Sequence, residues 1–263
     1  MLSMDAARAT AKTLILEPGA EVGVFGMGVY DKTCIVVCHE EGGSPKQLEG
    51  ALALKARIER KGGKHCPIVE LPSDPRKRTM LQKIPTEIAN CTNESRLYIL
   101  GESKHPSGIL SGMTSGHLAE RLVDNYGLKA VAKIVLVACE AGGLPNDFSD
   151  WTYAKSFHHT LRTPFGLQTT VAAFNRPVFI VTDGYAKLLE GHFEESVRQP
   201  GIKFVEGFPA QMTGGWRGQR VESGKSDPVP AKWDDDSKIV WFWEGTAQKF
   251  GYWNHETKSL VVK

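Results

Sequence analysis

Two apolar segments that each run into a polar, glycine-containing turn decide the fold: residues 96–103, RLYILGES, and residues 133–143, KIVLVACEAGG. Both apolar runs are short and rich in large aliphatic residues, which is typical of buried strands. Residues 115–125, which lie between them, carry a helical pattern that follows a capping serine. A strand, a helix and a second strand in this order predict parallel strands of one sheet.

The same alternation of strands and helices continues along most of the chain. Further strands are predicted at residues 33–38, 67–71, 169–174, 178–182, 239–243 and 260–262, and further helices at residues 48–61, 78–89 and 148–162. This spacing predicts an α/β fold with a mostly parallel sheet flanked by helices. We expect an N-terminal arm over residues 1–30 and one folded domain over residues 31–263, which becomes β-rich from about residue 184.

Composition excludes several classes of function. The 263 residues carry a net charge of only +2, which gives no general case for binding to nucleic acid. No apolar run approaches the roughly 18 residues of a membrane span or the roughly 7–15 residues of a secretory signal. The five cysteines have no framework spacing and fit a reducing compartment. We therefore expect a soluble protein with no classical signal peptide and no membrane insertion.

Chemistry is expected where the two deciding strands end, because functional groups of open α/β sheets gather beyond the carboxyl ends of strands. Cys139 follows the second strand, and the glycine-containing turn after it offers free N–H groups for an oxyanion. His105 lies in the loop after the first strand and is the candidate acid/base. The candidates for the oxyanion hole and the substrate pocket are Gly101, Glu102, Ser103 and Glu140.

These segments carry a family resemblance. RLYILGES, ILSGMTSGHLAERL and KIVLVACEAGG, together with YDKTCIVVC, TTVAAFNRPVFIVTDG and SLVVK, occur in the order seen in toxin self-processing domains. Over roughly residues 29–263 the chain resembles the cysteine protease domains of multifunctional RTX toxins and large clostridial glucosylating toxins. The resemblance implies a caspase-like fold with a C-terminal β-flap, and a toxin- or effector-type thiol protease that cleaves itself or another protein. It also implies a location in the bacterial cytoplasm or, after delivery, in the host cytosol.

One departure from the family pattern leaves the function open. Where the family has Gly-His-Gly, this chain has Gly101-Glu102-Ser103, and His105 is the nearest histidine. Either a reshaped loop lets His105 act, or another histidine serves, or the domain is an inactive caspase-like module that binds or regulates. Acyl transfer or deamidation by the same thiol is a further alternative to proteolysis.

The resemblance also implies an allosteric activator, inositol hexakisphosphate, with no cofactor required for the chemistry. A polyanion of this kind needs a cluster of lysines and arginines. The family's Gly-Arg-Lys run corresponds here to GYAK, residues 184–187, which keeps only Lys187. The basic candidates are Lys55, Arg57, Lys187, Lys203, Arg217, Arg220 and Lys225.

Three other cysteines are interpreted as core residues. Cys34 and Cys38 lie four residues apart on a predicted strand and therefore on one face, and Cys66 precedes the next strand. This spacing does not suit a zinc site, so we expect no metal.

Overall fold

The computed structural model describes most of the predicted sheet and its helices. The described residues are 30–39, 45–60, 66–73, 85–104, 108–138, 141–143, 152–174, 178–181, 201–204, 238–254 and 259–262. The predicted arm therefore lies outside the described residues except for Tyr30.

The described chain contains thirteen strands and four α-helices. The strands are β1 (Lys32–His39), β2 (Ile68–Pro72), β3 (Ser95–Leu100), β4 (Ser103–Lys104), β5 (Ile109–Leu110), β6 (Met113–Thr114), β7 (Lys133–Val137), β8 (Thr170–Phe174), β9 (Val178–Val181), β10 (Gly201–Phe204), β11 (Lys238–Glu244), β12 (Ala247–Asn254) and β13 (Ser259–Val262). The helices are α1 (Pro45–Arg60), α2 (Thr86–Ala89), α3 (Ser115–Glu120) and α4 (Tyr153–Arg162), and α3 continues into a π-helical turn, Arg121–Asn125. Within these ranges no helix has the length and apolar character needed to cross a membrane.

Eight strands form the main sheet in the order β13-β12-β11-β8-β7-β3-β1-β2. The pairs β2–β1, β1–β3, β3–β7 and β7–β8 are parallel. The strands β11, β12 and β13 extend the sheet through antiparallel pairs. The prediction of a mostly parallel, caspase-like α/β fold is therefore confirmed.

Helices cover both faces of this sheet. Along β1, Cys34, Val36 and Cys38 pack into a core shared with α2, α3 and α4, whereas Ile35 and Val37 pack into a second core shared with α1. Successive strand residues point to opposite faces, so an unbroken apolar run such as KTCIVVCH is what a strand buried on both sides requires. Burial of each such side chain contributes roughly 1.5–3 kcal/mol to folding.

Most predicted elements are present, but some boundaries differ and several strands were not predicted. The helix expected over residues 148–162 begins at Tyr153, because Thr152 is its N-cap and accepts a hydrogen bond from the Lys155 N–H. The sequence analysis missed β10, β12 and the small antiparallel sheet of β4, β5 and β6. Of the helix expected over residues 78–89, the described part is helical only in α2.

The cysteines expected in the core are buried. Cys34, Cys38 and Cys66 have no exposed surface, and Cys91 has 6%. The described residues contain no group of side chains that could hold a metal ion.

Candidate functional site

The carboxyl ends of β3 and β7 lie side by side. These parallel strands are paired as far as Leu100 and Val137, and the Gly101 N–H donates to the Val137 carbonyl oxygen (N···O 3.4 Å). The segments that follow the two strands therefore leave the same edge of the sheet. This edge is where the sequence predicts the catalytic residues.

The turn after β3 is held in place by Ser111. The Ser111 hydroxyl accepts from the Glu102 N–H (2.9 Å) and donates to the Cys38 carbonyl oxygen (2.9 Å), and the Ser111 N–H donates to the Glu102 carbonyl oxygen (2.7 Å). Ser111 adopts a left-handed conformation, with φ of 45°. A Cβ at Gly101 would overlap the buried Leu110 side chain. A side chain at position 101 would therefore displace Leu110, and the Ser111 hydroxyl joins this turn to the end of β1.

The two remaining pocket candidates after β3 differ in their surroundings. Glu102 is exposed, and Ser103 is half-buried and begins β4, where it pairs with Leu110. The carboxylate of Glu102 therefore stands on the surface directly after Gly101.

The turn after β7 is described on both sides of the predicted nucleophile. The Gly142 N–H donates to the Phe174 carbonyl oxygen at the end of β8 (2.9 Å), and the Ala141 carbonyl oxygen accepts from the N–H of Ala154 in α4 (2.9 Å). Gly143 has φ of 93°, a conformation that favours glycine. Cys139, Glu140 and His105 lie outside the described residues.

A cavity lined by three cations opens on the face of the sheet that α1 covers. Its volume is about 110 Å³. Its lining residues are Tyr30, Arg96, Tyr98, Lys133, Val135, Lys238 and Trp253. The lining contains no carboxylate among the described residues, so its charges favour an anion.

Burial lowers the pKa values of both lysines that line this cavity to near neutral pH. Lys133 is 7% exposed, and its burial, followed by the charges of Lys238 and Arg96, lowers its pKa to about 7. Burial, with a contribution from Arg96, lowers the pKa of Lys238 to about 8. An anion in the cavity would favour the protonated form of both amines.

Aromatic rings position the cations. The Arg96 guanidinium carbon lies 4.6 Å from the centroid of the Tyr30 ring and 4.8 Å from that of Tyr98. The Nζ atoms of Lys133 and Lys238 lie 5.8 Å and 5.9 Å from the centroid of the Trp253 ring. The Arg96 Nε is buried and has no hydrogen-bond partner, although its Nη2 donates to a threonine hydroxyl. An anion would supply the missing acceptor.

Arg96, Lys133 and Lys238 are not among the basic residues that the sequence predicts for an anion site. Among its own basic candidates, Lys55 lies in α1 with its Nζ 3.9 Å from the Glu59 carboxylate. The backbones of Arg57 and Lys203 lie in α1 and β10, but their side chains are outside the described structure. The candidates that lie wholly outside the described residues are Lys187, Arg217, Arg220 and Lys225.

A signal for the basic cavity is present in the sequence. Arg96, Lys133 and Lys238 each lie two positions before a residue of the α1-side core, at the start of an apolar strand. A strand's period of two places each of them on the same face as that core residue. A lysine or arginine at such a position on three strands is unusual, because charged residues are rarely buried without a partner.

Comparison with known proteins adds no assignment. No protein-family model matches the chain, and no curated protein matches it either. The function is therefore argued from the strand-end edge and the basic cavity.

Proposed function

We propose that this chain is a cysteine endopeptidase of caspase-like fold, of the self-processing toxin or effector type, with Cys139 as its nucleophile. The observation that carries the proposal is the shared edge of β3 and β7, where the Gly101 N–H meets the Val137 carbonyl oxygen. Cys139 follows Val137 by two residues, and His105 follows Gly101 by four. Nucleophile, acid/base and backbone donors thereby come from loops that leave one edge of the sheet.

The other thiols are unsuited to catalysis. Burial raises the pKa of Cys38 to about 12 and that of Cys66 to about 11, and it also raises the pKa values of Cys34 and Cys91. The thiolate is the nucleophilic form, so these four residues are inert at neutral pH. Thiol chemistry in this chain would therefore require Cys139.

The proposed reaction is cleavage of a peptide bond through an acyl-enzyme. The Cys139 thiolate attacks the carbonyl carbon, and backbone N–H groups of the loop around Cys139 stabilise the oxyanion, since the N–H groups of Gly101, Glu102 and Gly142 already donate within the fold. His105 gives its proton to the leaving amine and then takes one from the water that hydrolyses the thioester. Glu102, Ser103 and Glu140 border the site from the same two loops and are the proposed pocket residues.

We further propose that a polyphosphate such as inositol hexakisphosphate controls this activity from the basic cavity. Support comes from the three cations, from the absence of a carboxylate in the described lining, and from the unpartnered Arg96 Nε. A cavity of about 110 Å³ suits one phosphate group, and the rest of the ligand would extend from its mouth. The cavity lies on β3 and β7, the same strands that lead to the proposed catalytic edge.

A regulatory module without catalysis is the second candidate. It is favoured by the exposed Glu102 at the position of the family's histidine, combined with a well-formed anion cavity. Such a protein would bind the polyphosphate and respond to it without cleaving a peptide.

A peptidyl acyloxymethyl ketone separates the two candidates. We expect it to label Cys139 in the wild-type protein, with faster labelling in the presence of inositol hexakisphosphate. The Cys139→Ala variant should take no label, and Cys91→Ala, which removes a buried thiol, should be labelled like the wild type. Absence of label under all conditions, together with thermal stabilisation by the polyphosphate, would exclude the peptidase and support the regulatory module.

A further inference from the structure

Lys133 is a buried amine with no hydrogen bond or ion pair among the described residues. It begins β7, is 7% exposed, and lines the basic cavity beside Trp253. The cations that face it from the other strands are Arg96 of β3 and Lys238 of β11. The titratable hydroxyls that share the cavity are those of Tyr30 and Tyr98, and no acidic residue is among the described lining.

Burial beside two other cations makes a lysine amine nucleophilic. A lysine becomes reactive when burial or a neighbouring cation disfavours its protonated form, and both act on Lys133. With a pKa of about 7, about half of Lys133 would carry the free lone pair at neutral pH. An ordinary lysine has a pKa near 10.4 and is almost entirely protonated there.

The same cavity also holds the groups that bind a phosphate. Lys238 and Arg96 supply two positive charges next to the amine, and the Arg96 Nε lacks an acceptor. The volume of about 110 Å³ is well below the roughly 300–1,000 Å³ of pockets for drug-sized ligands. A ligand that fits wholly inside must therefore be small, and it would compete with the phosphate group of the polyphosphate proposed for the same cavity.

We propose that Lys133 is a covalent capture site for small aldehydes that carry a phosphate group, which Lys238 and Arg96 hold in place. The neutral Lys133 amine adds its lone pair to the aldehyde carbon to give a carbinolamine. Loss of water then gives an imine, so one C=N bond and one water molecule replace the C=O bond and the two N–H bonds. The step is reversible and needs no oxidant or reductant.

Capture by Lys133 does not depend on the proposed peptidase. The site lies on the face of β7 that α1 covers, and no cysteine is among its described lining residues. The test therefore uses the full chain carrying Cys139→Ala, in which thiol chemistry at that position is impossible.

The probe is glyceraldehyde 3-phosphate, with cyanoborohydride present to fix the imine, followed by peptide mapping. At about pH 7 we expect labelling of Lys133 at least about ten-fold above that of the exposed Lys129, because the neighbouring cations hold the aldehyde beside the Lys133 amine, and this gain outweighs the rise in protonation that the bound phosphate causes. Glyceraldehyde, which lacks the phosphate, should label Lys133 at least about ten-fold more slowly, since it gains nothing from the neighbouring cations. Inorganic pyrophosphate should protect Lys133 and leave Lys129 unchanged.

Two variants complete the test. Lys133→Arg keeps the charge but cannot form the imine, so the preferred label should disappear. Lys238→Met removes a phosphate partner and should slow capture at Lys133. The proposal would be overturned if Lys133 were labelled no faster than Lys129, or if glyceraldehyde and glyceraldehyde 3-phosphate labelled Lys133 at equal rates. Both comparisons use the chain that keeps Lys133 and Lys238, so they do not depend on whether the two variants fold.

Discussion

Replacing Lys133 by methionine should stabilise the protein, and most strongly at low pH. The pKa of this amine falls from 10.5 in the unfolded chain to about 7 in the fold. Between these values the unfolded state binds more protons, so the free energy of unfolding rises with pH. At about 1.4 kcal/mol per pKa unit, Lys133 alone should add about 2–3 kcal/mol to that free energy between about pH 6 and about pH 9. Methionine fills a similar volume without a charge and removes this dependence.

Urea unfolding of the wild type and of Lys133→Met at both pH values measures the effect. The variant should exceed the wild type in stability at about pH 6, and the difference should shrink by about 2–3 kcal/mol at about pH 9. Lys129→Met, which changes an exposed lysine just before β7, should keep the wild-type pH dependence. If Lys133→Met shows the same pH dependence as the wild type, Lys133 is not the buried, repelled amine described above.

Two further substitutions test the surroundings of the site. Gly101→Ala should cost roughly 1–3 kcal/mol in urea unfolding, because the new Cβ overlaps Leu110; Gly116→Ala, with open space around its Cβ, should cost nothing. Burial lowers the pKa of His158 from 6.5 to about 4. Between these pH values the histidine is protonated in the unfolded chain but not in the fold, so the free energy of unfolding should fall by about 3 kcal/mol from about pH 7 to about pH 4. Thermal unfolding should show this loss reduced in His158→Gln but retained in His159→Gln, a change at the exposed neighbour. A cost at Gly116 equal to that at Gly101, or an unchanged acid loss in His158→Gln, would contradict these assignments.

The sheet was predictable because strands that are buried on both faces have apolar residues at nearly every position. Segments such as KIVLV and TVAAF are apolar at every position or nearly so, and each has flanking turn residues. The start of α4 was not predictable, because apolar Phe148 extends the pattern beyond the true cap, Thr152. The strand β12, AQKFGYWN, has adjacent polar residues before Phe250 and adjacent aromatic residues after Gly251, so it lacks the regular alternation that indicates a strand.

The sequence predicted the proposed catalytic edge, but it did not predict the basic cavity. The sequence placed Gly101 and Cys139 after two successive strands, and the described strands do end together. The cavity cations come from strands far apart in the chain. Arg96 and Lys133 begin predicted strands, and Lys238 directly precedes one. A local run of basic residues is visible in a sequence, whereas Arg96, Lys133 and Lys238 come together only through the strand order of the sheet.

Intact mass is the most direct measurement of the proposed peptidase. The purified chain and its Cys139→Ala variant should be incubated with and without inositol hexakisphosphate, alone and with a mixture of unfolded protein substrates. The proposal predicts cleavage of the chain or of a substrate only when Cys139 is present, with faster cleavage in the presence of the polyphosphate. Unchanged masses in every sample, or equal cleavage by Cys139→Ala, would contradict it.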